Sequence, residues 1–344
     1  MLATFLVRPG KIELREIPQP TPARGEVLIQ IKTALTCGTD LKAFRRGHPM
    51  IPMPGALGHE FSGIVAETGK GVRRFREGDA IMAVHSGPCL QCVFCRIKLY
   101  NLCEHIMRTK VLGAFSEYLV LPSHIVRQNA FRKPAALSFE EAAFLEPLSC
   151  VVHGMSTLDI KKGAHALIFG AGPVGLLHLL LLKEKKAIVT IADKHDSKLR
   201  IAKNLGADFV WKNTPPVIKK GRREIVRRNT LTDFIGFDYV FECTGMPGVW
   251  EASVYYARKG GTVMLFGGCK SSTTVAFDAG KLHYDEITLK GTFHYTPDDV
   301  KKAYGLLGRL GVSRLVSGRY PLTSIQKAFE KLSEGAGIKY AIIP

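Results

Sequence analysis

"LIFGAGPVGLLHLLLL", residues 167–182, decides how the second half of this chain is read. An apolar run with the length of a buried strand ends at Gly170, and an apolar run of helical length begins after Gly172. Gly170, Gly172 and Gly175 make the spacing G-x-G-x-x-G at the turn between them, with Pro173 and Val174 inside it. Glycine there allows a tight turn, lets backbone N–H groups approach a pyrophosphate, and lets helix and strand pack closely; the helix N-terminus adds partial positive charge. The next strand, "AIVTIAD", ends on Asp193, 18 positions past Gly175. A carboxylate there accepts from both adenosine ribose hydroxyls and repels a 2′-phosphate. The expected cofactor is NAD, bound by Gly170, Gly172, Pro173, Val174, Gly175, Asp193 and the nearby Lys198, although Lys194 and His195 add positive charge that NADP would favour.

Outward from this turn, helices and strands alternate. "EEAAFLEPLSCVVHGMSTL" reads as helix, "AHALIFG" as strand, "SKLRIAKNLGA" as helix, and "FDYVFECTG" and "GTVMLFGG" follow. That rhythm predicts a doubly wound parallel sheet over 141–290. Residues 1–140 have another texture: "GEVLIQIKTAL", "FSGIVAETG", "DAIMAVH" and "FSEYLVLP" are short strand-like segments between Pro and Gly, as in an irregular β domain. Residues 291–344, ending in "KYAIIP", are expected to complete that domain. The fold class is α/β, in two parts.

Composition limits the partners. The 344 residues are 46% hydrophobic and 23% charged, ordinary for a globular protein. The longest apolar stretch, "GPVGLLHLLLL", is too short for a bilayer, and the first residues lack a secretory pattern. No membrane association and a cytoplasmic location are expected. Lys and Arg total 48 against 30 Asp and Glu, a net charge of +18 that attracts anions in general. The densest basic run, "IKKGRREIVRR" at 218–228, reads as the outer face of a helix. Nucleic acid is not expected as a partner, because no reading module accompanies the charge.

"GPCLQCVFCRIKLYNLCE", residues 87–104, holds Cys89, Cys92, Cys95 and Cys103 in a C-x2-C-x2-C-x7-C run. In a reducing compartment such a cluster is a metal site, and four thiolates fill all four positions of a tetrahedral zinc. It is therefore structural, and metal binding supplies folding energy that the loop's few apolar residues cannot. Cys150, Cys243 and Cys269 follow apolar stretches and read as core or cleft lining.

"TCGTD" at 36–40, "GHEFSGIVAETGKGV" at 58–72 (G-H-E-x-x-G-x5-G-x-x-V) and "FLEPLSCVVHG" at 144–154 complete the pattern. With the four-cysteine run and the glycine fingerprint, the chain resembles the zinc-dependent medium-chain dehydrogenase/reductase family, from its first strand to its last. Within that family it is most similar to the sorbitol (polyol) and threonine dehydrogenases. The resemblance implies a GroES-like β domain with catalytic zinc, a Rossmann domain, two zinc ions per chain, and a homodimer or homotetramer.

It also implies roles. Cys37 and His59 are zinc ligands, and either Glu60 or Glu146 supplies a carboxylate. Thr39 takes the substrate's proton, and His294 and Tyr295 face the substrate. The sequence departs from its relatives twice: Lys42 stands where the next relay histidine is expected, and His294 where sorbitol enzymes carry arginine. Zinc is needed because an alcohol, with a pKa of about 16, gives up hydride poorly from its neutral form, and zinc draws the pKa of a bound oxygen toward ~7. The expected reaction is NAD-dependent oxidation of a polyol, sugar or amino-alcohol at a secondary carbon. The alternatives are a general dehydrogenase of simple secondary alcohols and, from a different class, a zinc-stabilised nucleic-acid-binding protein.

Overall fold

Antiparallel pairing dominates the first 130 residues of the computed structural model, which describes residues 1–212 and 235–344. Its contacts divide the chain into two units, 1–153 with 294–344, and 154–293. The basic run at 218–228 lies outside the described residues.

The first unit is built on a sheet ordered Val316–Pro321, Lys339–Ile343, Val27–Leu35, Glu60–Thr68, Ala80–Val84, Ala130–Arg132, with Tyr118–Leu121 also paired to Val27–Leu35. A smaller sheet joins Leu2–Arg8 to Lys11–Glu16 and Gly55–Ala56. Burial alternates only in the middle of Val27–Leu35, where Gln30 and Lys32 are partly exposed between Ile29, Ile31 and Thr33; both ends of the strand are buried on both faces. Ile29, Ile31, Phe61, Ile81, Phe115 and Phe329 form the core.

Two strand registers gather the buried polar residues of this unit. Glu60 opposes Val84 across an antiparallel pair, which sets His59 beside His85. Ala341 opposes Leu35, and Tyr340 and Thr36 exchange hydrogen bonds of 2.9 and 3.0 Å, which brings Lys339 to the start of the "TCGTD" turn.

In the second unit the described residues form a parallel sheet ordered Phe209–Lys212, Ile188–Asp193, His165–Phe169, Phe237–Glu242, Ala257–Leu265, Thr288–Gly291. Its central strands are buried on both faces, so they read as apolar runs rather than alternations. The doubly wound reading of this segment and the α/β class hold. Among the described residues, no helix is long and apolar enough to cross a membrane.

Candidate metal centre and dinucleotide turn

Cys37 ends the strand-to-helix turn as the N-cap of Gly38–Arg46, and its Sγ accepts the Thr39 N–H at 3.5 Å. The register of Glu60–Thr68 delivers His59 and Glu60 to the same place. Ligand atoms of Cys37, His59 and Glu60 all lie within 4.8 Å of one another. Glu146, the second residue of helix Leu145–Ser156, is outside that group. Its Oε1 lies 3.3 Å from His85 Nδ1 and accepts from Cys150 Sγ at 3.7 Å.

The surroundings are electrostatically unbalanced. Asp40, Glu60 and Glu146 are all buried. Lys339 is a buried cation among them: only 1% exposed, it donates to Glu60 Oε2 and, at 2.9 Å, to Thr36 O. Glu60 Oε1 is buried with no hydrogen-bond partner among the described residues. Asp40 Oδ1 stands 3.3 Å from His59 Nδ1, at ion-pair distance. Burial opposes a charge on His59, but Asp40 and the Cys37 sulfur outweigh it and hold its pKa well above the ordinary value. Burial pushes the Glu60 carboxyl up to about 7, with Lys339 pulling the other way.

Three buried carboxylates and a thiol beside the Lys339 ammonium, with an orphaned carboxylate oxygen in their midst, suit a divalent cation. A buried charge without such compensation is expensive. The donor set of sulfur, nitrogen and oxygen with an open position is that of catalytic zinc. Asp40, which orients His59 from behind as carboxylates do for metal-bound histidines, was not assigned from sequence. It stands three residues past Cys37 in the same motif. Lys339 was missed because only the closing strand's register brings it here. His85 and Ser86 carried no local signal at all.

The four cysteines of the lobe also converge: their Sγ atoms lie within 4.8 Å of one another, Cys89 and Cys95 at 4.0 Å. Four zinc–sulfur bonds of about 2.3 Å place sulfurs about 3.8 Å apart, so little movement is needed. Backbone N–H groups of Gln91 and Cys92 point at Cys89 Sγ at 3.4 Å, and that of Cys89 at Cys103 Sγ at 3.3 Å, as thiolates require. The lobe has almost no core beyond its sulfurs, Ile106, Tyr100 and Met107. Leu90, Val93, Ile97, Leu99 and Leu102 face outward.

In the second unit Gly172 caps helix Pro173–Glu184, with Pro173 at its first turn. Gly170 has φ +99°, and a Cβ on Gly175 would sit 1.9 Å from Gly170 O, so both positions exclude a side chain. Around Gly172 the space is open, a cradle suited to a phosphate. Asp193 Oδ2 accepts from Ala171 N at 2.8 Å and Oδ1 from His195 N at 2.9 Å, tying the strand end to the glycine turn. Val174 lies in the same turn, and Lys198 is on helix Asp196–Asn204. In the first unit, Tyr295 is buried with its hydroxyl 2.9 Å from Ser86 Oγ; His294, at φ +64°, has Nε2 2.6 Å from the same oxygen.

A buried thiol–imidazole–carboxylate centre in one unit and a dinucleotide turn in the other define a metal-dependent oxidoreductase. Residues 23–130 match the alcohol dehydrogenase GroES-like domain, and residues 173–309 match the zinc-binding dehydrogenase model. The chain is 31% identical to a sorbitol dehydrogenase of Halalkalibacterium halodurans, covering 97% of this chain and 96% of that one. It is 33% identical to a D-arabitol-phosphate dehydrogenase of Enterococcus avium, covering 97% and 95%. A Sinorhizobium meliloti protein solved with NADP bound superposes with a TM-score of 0.86 at 28% identity, over 100% of this chain and 99% of the other. The chain belongs to the zinc-dependent medium-chain dehydrogenase/reductase family of alcohol dehydrogenases.

Proposed function

We propose that this enzyme oxidises a polyol at a secondary carbon to the ketone, with NAD as acceptor and one catalytic and one structural zinc per chain. The observation that carries the reading is the buried Cys37–His59–Glu60 group within 4.8 Å. Those three residues would hold the catalytic metal, with Asp40 orienting His59 and Lys339 holding Glu60. Zinc, when bound, supplies the Lewis acid that lets an alcohol lose its proton. Thr39, two residues from Cys37 and partly exposed, is the hydroxyl that takes that proton. Lys42, one turn further along the same helix, stands on its way out. Cys89, Cys92, Cys95 and Cys103 hold the structural ion.

The 1–153 and 294–344 unit is read as the catalytic domain and 154–293 as the NAD-binding domain, through Gly170, Gly172, Pro173, Val174, Gly175, Asp193 and Lys198. Asp193 supports NAD, since a 2′-phosphate would meet its carboxylate. His294 and Tyr295 line the polar side of the substrate region. The outward apolar side chains of the lobe support a homodimer or homotetramer. Eight cysteines unjoined by disulfides support a reducing, cytoplasmic setting. Metal analysis together with NADH formation on sorbitol or xylitol tests the proposal: two zinc ions and turnover lost in Cys37→Ser are expected, and full activity without zinc refutes it.

A second reading, a phosphorylated polyol, has its own support. Lys110 is partly buried, which lowers its pKa, and its ammonium donates to Met107 O at 3.1 Å. The Val111 N–H donates to His85 O at 2.7 Å, which holds Lys110 near the metal centre. Lys42 and Arg46 lie one turn apart on helix Gly38–Arg46. The arabitol-phosphate relative is consistent with such a substrate. Comparing kcat/KM for a sugar alcohol and its phosphate decides; a Lys110→Met variant that loses only the phosphate's advantage would support this reading.

A further inference from the structure

Four polar side chains beside the metal centre are committed to one another rather than to solvent. His85 and Ser86 directly follow strand Ala80–Val84; His294 and Tyr295 begin the chain's return to the first unit. All four are buried or nearly so. Ser86 Oγ lies 2.6 Å from His294 Nε2 and 2.9 Å from Tyr295 OH, and Tyr295 OH lies 3.3 Å from His85 Nδ1. His85 Nδ1 is in turn 3.3 Å from Glu146 Oε1. The rings brace one another: His294 stacks on Tyr295 with centroids 4.0 Å apart, and His85 meets His59 at 5.0 Å and His294 at 5.4 Å. His294 holds φ +64°, an uncommon conformation for a residue with a side chain, which persists where surrounding contacts determine it.

We propose that His85 is a positioning residue that holds the Glu146 carboxylate beside the Cys37–His59–Glu60 group, and that Ser86, Tyr295 and His294 are the frame that fixes His85. One proton order satisfies every contact. A carboxylate only accepts, so His85 Nδ1 carries the hydrogen facing Glu146. The same Nδ1–H is shared with the Tyr295 oxygen at 3.3 Å, the Tyr295 hydroxyl donates to Ser86 Oγ, and the Ser86 hydroxyl donates to His294 Nε2. Both rings are neutral in this order. Burial is the main cause in each case, depressing His85 and pushing His294 down to about 3. Glu146 accepts that hydrogen at 3.3 Å: burial opposes its charge, and the His85 N–H is the largest contact favouring the anion. The frame thus holds the Glu146 side chain at the edge of the metal centre. Helix Leu145–Ser156 supplies the backbone position of Glu146, and the His85 contact orients its side chain.

This inference rests on the catalytic-zinc reading, and the test separates the two. Zinc affinity of the Cys37 site is measured by chelator competition on the full-length protein, with Cys37→Ser defining the contribution of the four-cysteine site. His85→Phe, which keeps ring bulk but loses the donor, should weaken that zinc by about 10–100-fold, the usual effect of removing a partner behind a metal site. The four-cysteine zinc should not move. His85→Asn, whose amide restores an N–H donor, should recover most of the affinity and most of kcat. Ser86→Ala, which cuts the frame and leaves His85 in place, should shift affinity in the same direction but less, and it decides the matter if His85→Phe does not fold. Wild-type affinity in His85→Phe, an asparagine variant as impaired as the phenylalanine one, or an unchanged Ser86→Ala overturns the inference. A wild-type chain binding only the four-cysteine zinc overturns the catalytic-zinc reading, and this inference with it.

Discussion

Replacing Lys339 by methionine removes the buried cation that faces Glu60, and the structure sets how much that costs. Breaking a buried ion pair by deleting one partner commonly costs about 3–5 kcal/mol, because the survivor stays charged and unpaired. Glu60 has an escape from that penalty. Even with Lys339 in place, its carboxyl in the metal-free protein is raised from 4.5 to about 7. A raised carboxyl contributes stability that is intact below the unfolded pKa and is lost as pH climbs through the folded one. Without the ammonium the folded pKa rises further, so the loss continues above pH 7 instead of levelling off. The variant should therefore fall behind its parent by about 1.4 kcal/mol for each pH unit above 7, and the difference should stay constant below about pH 6. Urea unfolding at pH 6, 7, 8 and 9 measures this best in a Cys37→Ser background, where no bound metal masks the carboxylate. Adding Glu60→Gln should erase the pH-dependent part. Parallel stability curves from pH 6 to 9, or a deficit that grows toward acid, would refute the reasoning.

Asp40→Asn should weaken catalytic zinc and lower kcat by about 10–100-fold, since the amide can no longer accept from His59 as an anion; metal competition and steady-state rates check it. Cys37→Ser and Cys103→Ser should each leave one zinc per chain by elemental analysis, the first abolishing turnover with little change in melting temperature, the second lowering melting temperature and solubility. Asp193→Gly should weaken NAD by about tenfold and NADP less, read from the two dissociation constants, because the lost carboxylate binds only the unphosphorylated ribose.

Much of this was legible in sequence because the signals are local. The turn at Gly170–Gly175 needs particular backbone geometry within six residues, and the four cysteines span fifteen, so spacing alone implied a dinucleotide turn and a four-sulfur cluster. Cys37, His59 and Glu60 were also readable, through motifs on two strands that pair in register. Lys339 was not: it lies 279 residues from Glu60, and only the pairing of Ala341 with Leu35 brings it there. His85 failed for another reason. A histidine just past an apolar strand has no period or spacing to mark it, and its role depends on Tyr295, 210 residues away. His294 and Tyr295, expected from sequence to face the substrate, also engage Ser86 through a ring nitrogen and a hydroxyl, which no local signal announced.

The central claim, zinc-dependent oxidation of a polyol by NAD, is tested most directly by initial rates of NADH formation with zinc-loaded enzyme. The panel is sorbitol, xylitol, inositol, a sugar-alcohol phosphate, threonine, butanediol and ethanol. A substrate with several hydroxyls, phosphorylated or not, should exceed ethanol in kcat/KM by about 100-fold or more, since a site built to hydrogen-bond hydroxyls rejects analogues that lack them. Ethanol or another primary aliphatic alcohol as the best substrate would contradict the account.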